Sequence, residues 1–408
     1  MQAWDRELST AAAERVFSRL SSAFHGPPWE KPQCAGALPG PTLHAYARPF
    51  AVRSAPAVKA QVTSVDVARL AAVSQSAVSR TFTPGASVSD DTRRKVLEAA
   101  RLLGYRPNAH ARSLITKRSR IIGLVLAQLG NLFYPAALQQ LATRLQRDGY
   151  HVLLFVNDQP DSDAVVHEIL QYHVDGIVLA ATTLSSPLAQ RCADAAIPVV
   201  LFNRVMAGPA SDSVSSVRSD NVAGGRAIAH FLADGGHRRI AFIAGQETAS
   251  TNLEREQGFR DGLAERGLRI WARGVGHYDP ERARDAALAM FGNAERPDAV
   301  FVASDSMAFP VMDALRHRLG LRVPEDVSVV GFDDVPQAAW DSYRLTTFEQ
   351  PVPAMVEAAV ALLQKALVDG TPAAAGNAVV PGRLIVRDSA RLPPEFPTTP
   401  GQPPHPPT

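Results

Sequence analysis

At 408 residues, 46% of them hydrophobic and 20% charged, the chain exceeds one ordinary domain and has the composition of a folded soluble protein, so two or three domains are expected. No run of about 18 uncharged apolar residues occurs, and the first residues lack the basic-then-apolar order of a secretory signal, which argues against a membrane span or export. Cys34 and Cys192, far apart, suggest neither a disulfide framework nor a cysteine-based metal site, and a reducing cytoplasm is the expected compartment.

The net charge of +2 is unevenly spread. Residues 59–120 hold twelve Lys and Arg against four acids, residues 1–58 hold six against four, and residues 121–408 are left with a net −8. A compact basic module fused to a larger acidic one reads either as a head for a polyanion or as a solvated charged face.

Residues 1–58 mix Pro, Gly, Ala and Arg without steady periodicity. They are expected to be a disordered extension, or the result of a start assigned upstream of one near Val58. Residues 59–104 then carry three helical segments. Ser64 is placed to cap a helix bearing Val65, Val67, Ala68 and Leu70; a turn follows at Ala72 and Val73; Ser74 is placed to cap a second helix running to Arg80 or beyond. This is helix-turn-helix spacing. Ala68, Val73, Val78 and Phe82 are expected to close its core, and a third helix, Ser89 to Leu103, to buttress it through Val96, Leu97, Ala100 and Leu103. Gln75, Ser76, Ser79 and Arg80 then face outward from the second helix, with the donors and acceptors that read base edges in a major groove. Thr63, Ser64 and Ser74 are placed for phosphates.

Residues 105–120 form a hinge segment and linker. Pro107 suits the first turn of a short helix, which is marginal in water unless something holds it, and DNA is one candidate. Leu114 is then an apolar wedge for a minor-groove base step and Arg112 a neutraliser of backbone charge; the bland alternative is a charged linker.

From Ile121 onward, short β-branched runs alternate with amphipathic stretches, the pattern of βα units and parallel sheet. Strands are expected at Ile121–Leu126, His151–Val156, Gly176–Leu179, Pro198–Phe202, Arg239–Ile243, Ala299–Ala303 and Val327–Gly331, with helices such as Pro135–Asp148, Asp163–Tyr172, Val222–Asp234, Asn252–Arg266 and Ser306–Leu319 between them. So many units point to two α/β lobes with a ligand cleft at the carboxyl ends of the strands. Lobe 1 is expected at about 121–220 and 324–350, lobe 2 at about 221–323 and 351–392, and a disordered proline-rich tail at 393–408.

This order of residues resembles the LacI-GalR family of repressors from about Val62 to about Arg391. The marks are Asp66-Val67-Ala68, Val73-Ser74, Val78-Ser79-Arg80, Tyr105-Arg106-Pro107-Asn108 and Ala111-Arg112-Ser113-Leu114. They continue through Val174-Asp175-Gly176, Gly235-Gly236-His237-Arg238-Arg239-Ile240, Ala303-Ser304-Asp305 and the run Val323 to Asp334. The resemblance implies an all-α helix-turn-helix head followed by a two-lobed, periplasmic-binding-protein-like sensor with two Rossmann-like parallel sheets. It also implies a homodimer on a pseudo-palindromic double-stranded operator, in the cytoplasm and associated with the nucleoid, controlled by a small molecule such as a sugar or nucleobase. By position it puts Gln75, Ser76 and Arg80 on the base-reading sites, Leu114 on the hinge leucine, and Asn108 among the DNA contacts. For the effector it implies Asn131, Phe133 and Tyr134 from the first-lobe loop, Arg255, three before Gly258, and Asp305, with Asn203 and Tyr278 as further placements. The dull readings are that Asp305 caps the helix near Ser306, that Arg255 is a solvated helix residue and that Phe133 is core.

Two departures stand out: Ala72 occupies a turn where the family commonly has Gly or Asn, and Pro310 stands where Gly is usual. The family's tetramer-forming heptads are not visible in the tail, so a dimer is expected. A secreted sugar receptor is disfavoured by the basic head. An α/β nucleotide enzyme is disfavoured because neither G-x-G-x-x-G nor G-x-x-x-x-G-K-[ST] follows a strand. Asp333 and Asp334 are adjacent carboxylates, but neighbours at a strand end point apart, so no catalysis, metal or cofactor is inferred from them.

Overall fold

The computed structural model describes residues 62–83, 85–106, 118–127, 129–157, 163–182, 184–206, 214–369 and 376–394. The expected N-terminal extension, the hinge residues Asn108, Arg112 and Leu114, and residues 395–408 of the tail lie outside them. The chain divides into two compact units, one ending at Tyr105 and the other starting at Arg106.

The first unit is three helices: α1 (Ser64–Ala71), α2 (Gln75–Thr81) and α3 (Asp90–Leu103). Their punctuation follows from side-chain chemistry. The cap of α1 is Thr63 rather than the expected Ser64, because Thr63 and Asp66 close a reciprocal capping box. Ser74 caps α2 through the Ala77 amide and Ser89 caps α3 through the Thr92 amide. Val67, Val78 and Val96 are fully buried, with Val73, Phe82, Leu103 and Tyr105 packed around them. Leu97, expected to buttress, is instead 48% exposed: the face of α3 turned to the core runs through Val96, Ala99 and Ala100. Ala72 ends α1 in the left-handed region at φ 50°, where a Cβ is unwelcome.

The second unit holds two six-stranded sheets. In chain order its elements are β1 (Ile121–Ala127), α4 (Phe133–Arg147), β2 (His151–Asn157), α5 (Asp163–Leu170), β3 (Gly176–Ala180), α6 (Ser186–Asp194), β4 (Val199–Phe202) and β5 (Val214–Ser219). Then come α7 (Asn221–Asp234), β6 (Ile240–Ala244), α8 (Ser250–Ala264), β7 (Ala272–Val275), α9 (Pro280–Phe291), β8 (Ala299–Val302) and α10 (Asp305–Asp313). The chain finishes with β9 (Ser328–Asp333), β10 (Thr346–Glu349), α11 (Val352–Asp369), β11 (Asn377–Val380) and β12 (Leu384–Ile385). The sheet orders are β11-β5-β4-β3-β1-β2 and β12-β10-β9-β8-β6-β7. All pairings are parallel except β10 with β12. Strands covered on both faces read as unbroken apolar runs, as β6 (IAFIA) does, every residue buried.

These orders correct the expected division into lobes. β9 and β10 extend the second sheet, not the first, whereas α11 packs on α4 and β5, and β11 pairs with β5 in the first. The chain therefore passes between the lobes three times, near Asp220, near Gln350 and between Val380 and Leu384. Pro310 lies inside α10, which continues through it into a wider π turn at Ala314–Arg318. Cys192 is buried on α6, and burial pushes its thiol to about 11.

In the second lobe, Phe259, Phe242, Phe301, Phe332 and Phe348 form a continuous run of rings with centroids 5.0–6.3 Å apart. Helices α7 and α8 cross so closely beside it that a Cβ on Gly258 would lie 2.0 Å from the Val222 carbonyl oxygen. Overpacking against backbone cannot be relieved by a rotamer change.

Two expected outcomes follow. Ala72→Gly removes the left-handed strain and should stabilise the head by ~0.5–1 kcal/mol, read as slower amide hydrogen exchange across α1 and α2. Gly258→Ala should destabilise the second unit by about 2–3 kcal/mol or more, read as a lower urea midpoint.

Candidate functional site

The head presents its polar residues outward. Gln75, Ser76, Ser79 and Arg80 are exposed on α2, Thr63 and Ser74 are exposed at the two caps, and Ser64 is half-buried. Gln75 Nε2 donates to Ser64 Oγ at 3.1 Å, and Ser74 and Ser76 hydroxyls meet at 3.0 Å. These bonds fix the first turn of α2 without using up the Gln75 carbonyl or Arg80. The arrangement offers donors and acceptors on one convex face, as base-edge reading requires.

In the sensor unit, residues following strands of one sheet meet residues following strands of the other. Ser306 Oγ, at the start of α10, accepts from the Leu132 amide at 2.9 Å and lies 3.4 Å from Asn131 Oδ1. Arg204, just beyond β4, sends Nη1 to Tyr134 Oη at 3.0 Å and across to Thr251 Oγ1 at 3.0 Å; Thr251 in turn meets Tyr278 Oη at 3.3 Å. The Val205 amide donates to Ser250 Oγ at 3.3 Å. The carboxyl ends of both sheets thus face one inter-lobe cleft.

Arg255 lies deeper. It is 2% exposed, its Nε donates to Asn221 Oδ1 at 2.9 Å, Nη1 donates to the Ala303 carbonyl and sits 3.5 Å from Asp333 Oδ1, and the guanidinium lies 3.7 Å from the centre of the Phe332 ring. It is not a solvated helix residue. Asp305 does not cap α10 either: its carboxylate accepts from Thr347 Oγ1 at 2.6 Å and from the Val335 amide at 3.0 Å. Gly331 makes room for it, since a Cβ there would lie 2.2 Å from Asp305 Oδ1. Burial, then the charge of Asp333, hold Asp305 well above the usual carboxylate range. Asp333 is raised to about 6 by burial, against the pull of Arg255 and of the Gln350 amide bonded to it at 2.6 Å. Asp334 points elsewhere, to Arg387 at 2.7 Å, as expected of neighbours at a strand end.

Of the sequence-predicted effector residues, Tyr134, Asn203 and Tyr278 come together around Arg204 and Thr251, and Arg255 and Asp305 adjoin Asp333. Burial holds the Tyr134 hydroxyl above its usual range, against the pull of Arg204 and Arg255. Phe133 is packed between Tyr134 and Phe202, as a core residue would be. Arg204, Thr251 and Gln350 were not singled out from sequence, and Asp333 was noted only as one of two adjacent carboxylates; the usable signal for Arg204 was a charged residue two positions after an apolar strand. Asn203 Oδ1, Ser219 Oγ, Asn252 Nδ2, Ser304 Oγ, Asp333 Oδ2 and Gln350 Oε1 are buried without a hydrogen-bond partner among the described residues. Apart from Asn252, which lies in the first turn of α8, these atoms sit at or just beyond strand ends, where a ligand site offers its polar groups.

Residues 64–108 match the family described as bacterial regulatory proteins, lacI family, and residues 228–390 match the periplasmic binding protein-like domain. The transcriptional regulator GalS of Salmonella typhimurium is 32% identical over 74% of this chain and 88% of its own. The chain belongs to the lacI family. Its members are regulators of transcription rather than enzymes, with a DNA-binding helix-turn-helix head and a two-lobed sensor. CelR of Thermobifida fusca is 33% identical over 79% of this chain and 96% of its own. Among solved structures, the lac repressor dimer bound to operator and an anti-inducer superposes with a TM-score of 0.71 at 27% identity, covering 81% of this chain and 99% of that one. The CelR–cellobiose complex gives 0.59 at 32% identity, covering 81% and 100%. Among the described residues, no helix is long and apolar enough to cross a membrane.

Asp305→Ala leaves the Val335 amide and the Thr347 hydroxyl buried without their acceptor. It should cost about 2–4 kcal/mol, measured by urea denaturation of the full chain.

Proposed function

We propose that this lacI-family regulator is a cytoplasmic, nucleoid-associated repressor that binds a pseudo-palindromic operator as a homodimer and changes its grip when a small polyhydroxylated metabolite enters the inter-lobe cleft. The observation that carries the DNA half is the exposed run Gln75, Ser76, Ser79 and Arg80 on one face of α2, with Thr63, Ser64 and Ser74 beside it for phosphates. In this reading Asn108 joins the DNA contacts, Arg112 neutralises backbone charge and Leu114 is the apolar wedge for a minor-groove base step. The solved relatives support both halves, one bound to operator and one to cellobiose.

The effector half assigns Asn131, Phe133, Tyr134, Asn203, Arg255, Tyr278 and Asp305 to the ligand's surroundings. Effector binding changes lobe closure, closure changes the separation of the two hinge segments in the dimer, and that separation decides whether they fold on DNA. The coupling is reciprocal: operator DNA must alter effector affinity by the same factor.

Arg80→Ala tests the reading. Specific binding to the DNA upstream of the protein's own reading frame, followed by fluorescence anisotropy, should weaken by about 1–3 kcal/mol while binding to unrelated DNA falls far less. Equal loss on both DNAs would make Arg80 a phosphate contact and defeat the base-reading assignment.

A further inference from the structure

Resting on the reading of the cleft as the effector site, we propose that the effector is a polyhydroxylated acid whose carboxylate pairs with Arg204. Arg204 is 3% exposed, and its Nη1 donates to Tyr134 Oη at 3.0 Å, the Asn203 carbonyl at 2.8 Å and Thr251 Oγ1 at 3.0 Å. Every one of these acceptors is uncharged. No ion pair among the described residues includes Arg204, whereas the other guanidinium of the cleft, Arg255, has Asp333 at 3.5 Å. A buried cation without an anion is costly, and here it stands where a ligand would.

The rest of the cleft does not cancel this charge. Asp333 stands 3.5 Å from Arg255, and burial, then the charge of Asp333, disfavour the ionised form of Asp305. Arg204 also draws Asp333 toward its ionised form, but among the described residues no carboxylate lies at ion-pair distance from the Arg204 guanidinium itself. Asn203 Oδ1, Asp333 Oδ2 and Gln350 Oε1 are meanwhile buried acceptors without donors, which ligand hydroxyls would supply. A neutral sugar answers the acceptors and leaves the guanidinium unbalanced. A phosphate ester, carrying close to two charges, overshoots the single cation. A sugar acid, with one carboxylate and several hydroxyls, answers both.

The test is isothermal titration of the full-length protein with D-gluconate, D-glucuronate and D-galacturonate, against D-glucose, D-galactose, sorbitol and D-glucose 6-phosphate. At least one acid should bind tenfold or more tightly than its neutral counterpart and than the phosphate. Arg204→Gln should then weaken that acid by roughly 10- to 100-fold, while Arg204→Lys, which keeps the charge, retains the preference for acid over neutral ligand. Equal or tighter binding of a neutral sugar or of the phosphate overturns the proposal, as does silence of all three acids. An acid whose binding survives Arg204→Gln but is lost in Arg255→Ala overturns the role of Arg204 and leaves the cleft as the effector site. Survival in both variants removes the cleft reading as well.

Discussion

A buried guanidinium must be satisfied on every side, and Arg255 meets that demand by drawing together three separate parts of the second lobe. It reaches Asn221 at the start of α7, the Ala303 carbonyl after β8, Asp333 at the end of β9 and the face of Phe332. Removing one partner leaves an uncompensated charge in the interior, typically worth about 3–5 kcal/mol, so the pieces hold one another in place. The aromatic run behind it supplies a rigid wall, and the close crossing of α7 and α8 at Gly258 sets the depth at which the guanidinium sits. The geometry of the cleft is thus inherited from core packing rather than from surface loops.

The head obeys a different economy. Its core is small, with Val67, Val78 and Val96 as its fully buried residues, and its helices are short, so capping carries a large share of their stability. Thr63 with Asp66, Ser74 and Ser89 close three helix starts with side-chain oxygens. Two of those caps, Thr63 and Ser74, are also phosphate ligands in the proposed complex, which is economical in a module of this size.

Sequence periodicity located seven strands of the sensor within a residue or two, mostly because strands buried on both faces must be apolar throughout; β2, an edge strand, was found by its apolar run although most of it is exposed or half-buried. It did not find β5, whose VSSVRS is polar, nor β7 at a sheet edge, half exposed, nor the four-residue β10 and β11 and the two-residue β12. The lobe division failed for a deeper reason: strand pairing is non-local, and nothing in the composition of β9 or β11 says which sheet it joins. At the site, spacing found Arg255 and Asp305 through resemblance, but their partners Asp333, Thr347 and Gln350 become visible only once β9 and β10 lie side by side. The cap of α1 was missed by one residue because Thr63 and Ser64 are both competent hydroxyls, and the deciding partner, Asp66, is three residues from Thr63.

The three passages of the chain between lobes bear on how the protein is made. β5 pairs with β11 at residues 377–380, so during synthesis the first sheet waits with one edge open while the whole second lobe emerges. The first lobe cannot be completed as a contiguous N-terminal piece on the ribosome, and a chain stopped before residue 377 keeps an unpaired strand edge available to other molecules. For this architecture, truncation near the C-terminus damages the lobe that is built first.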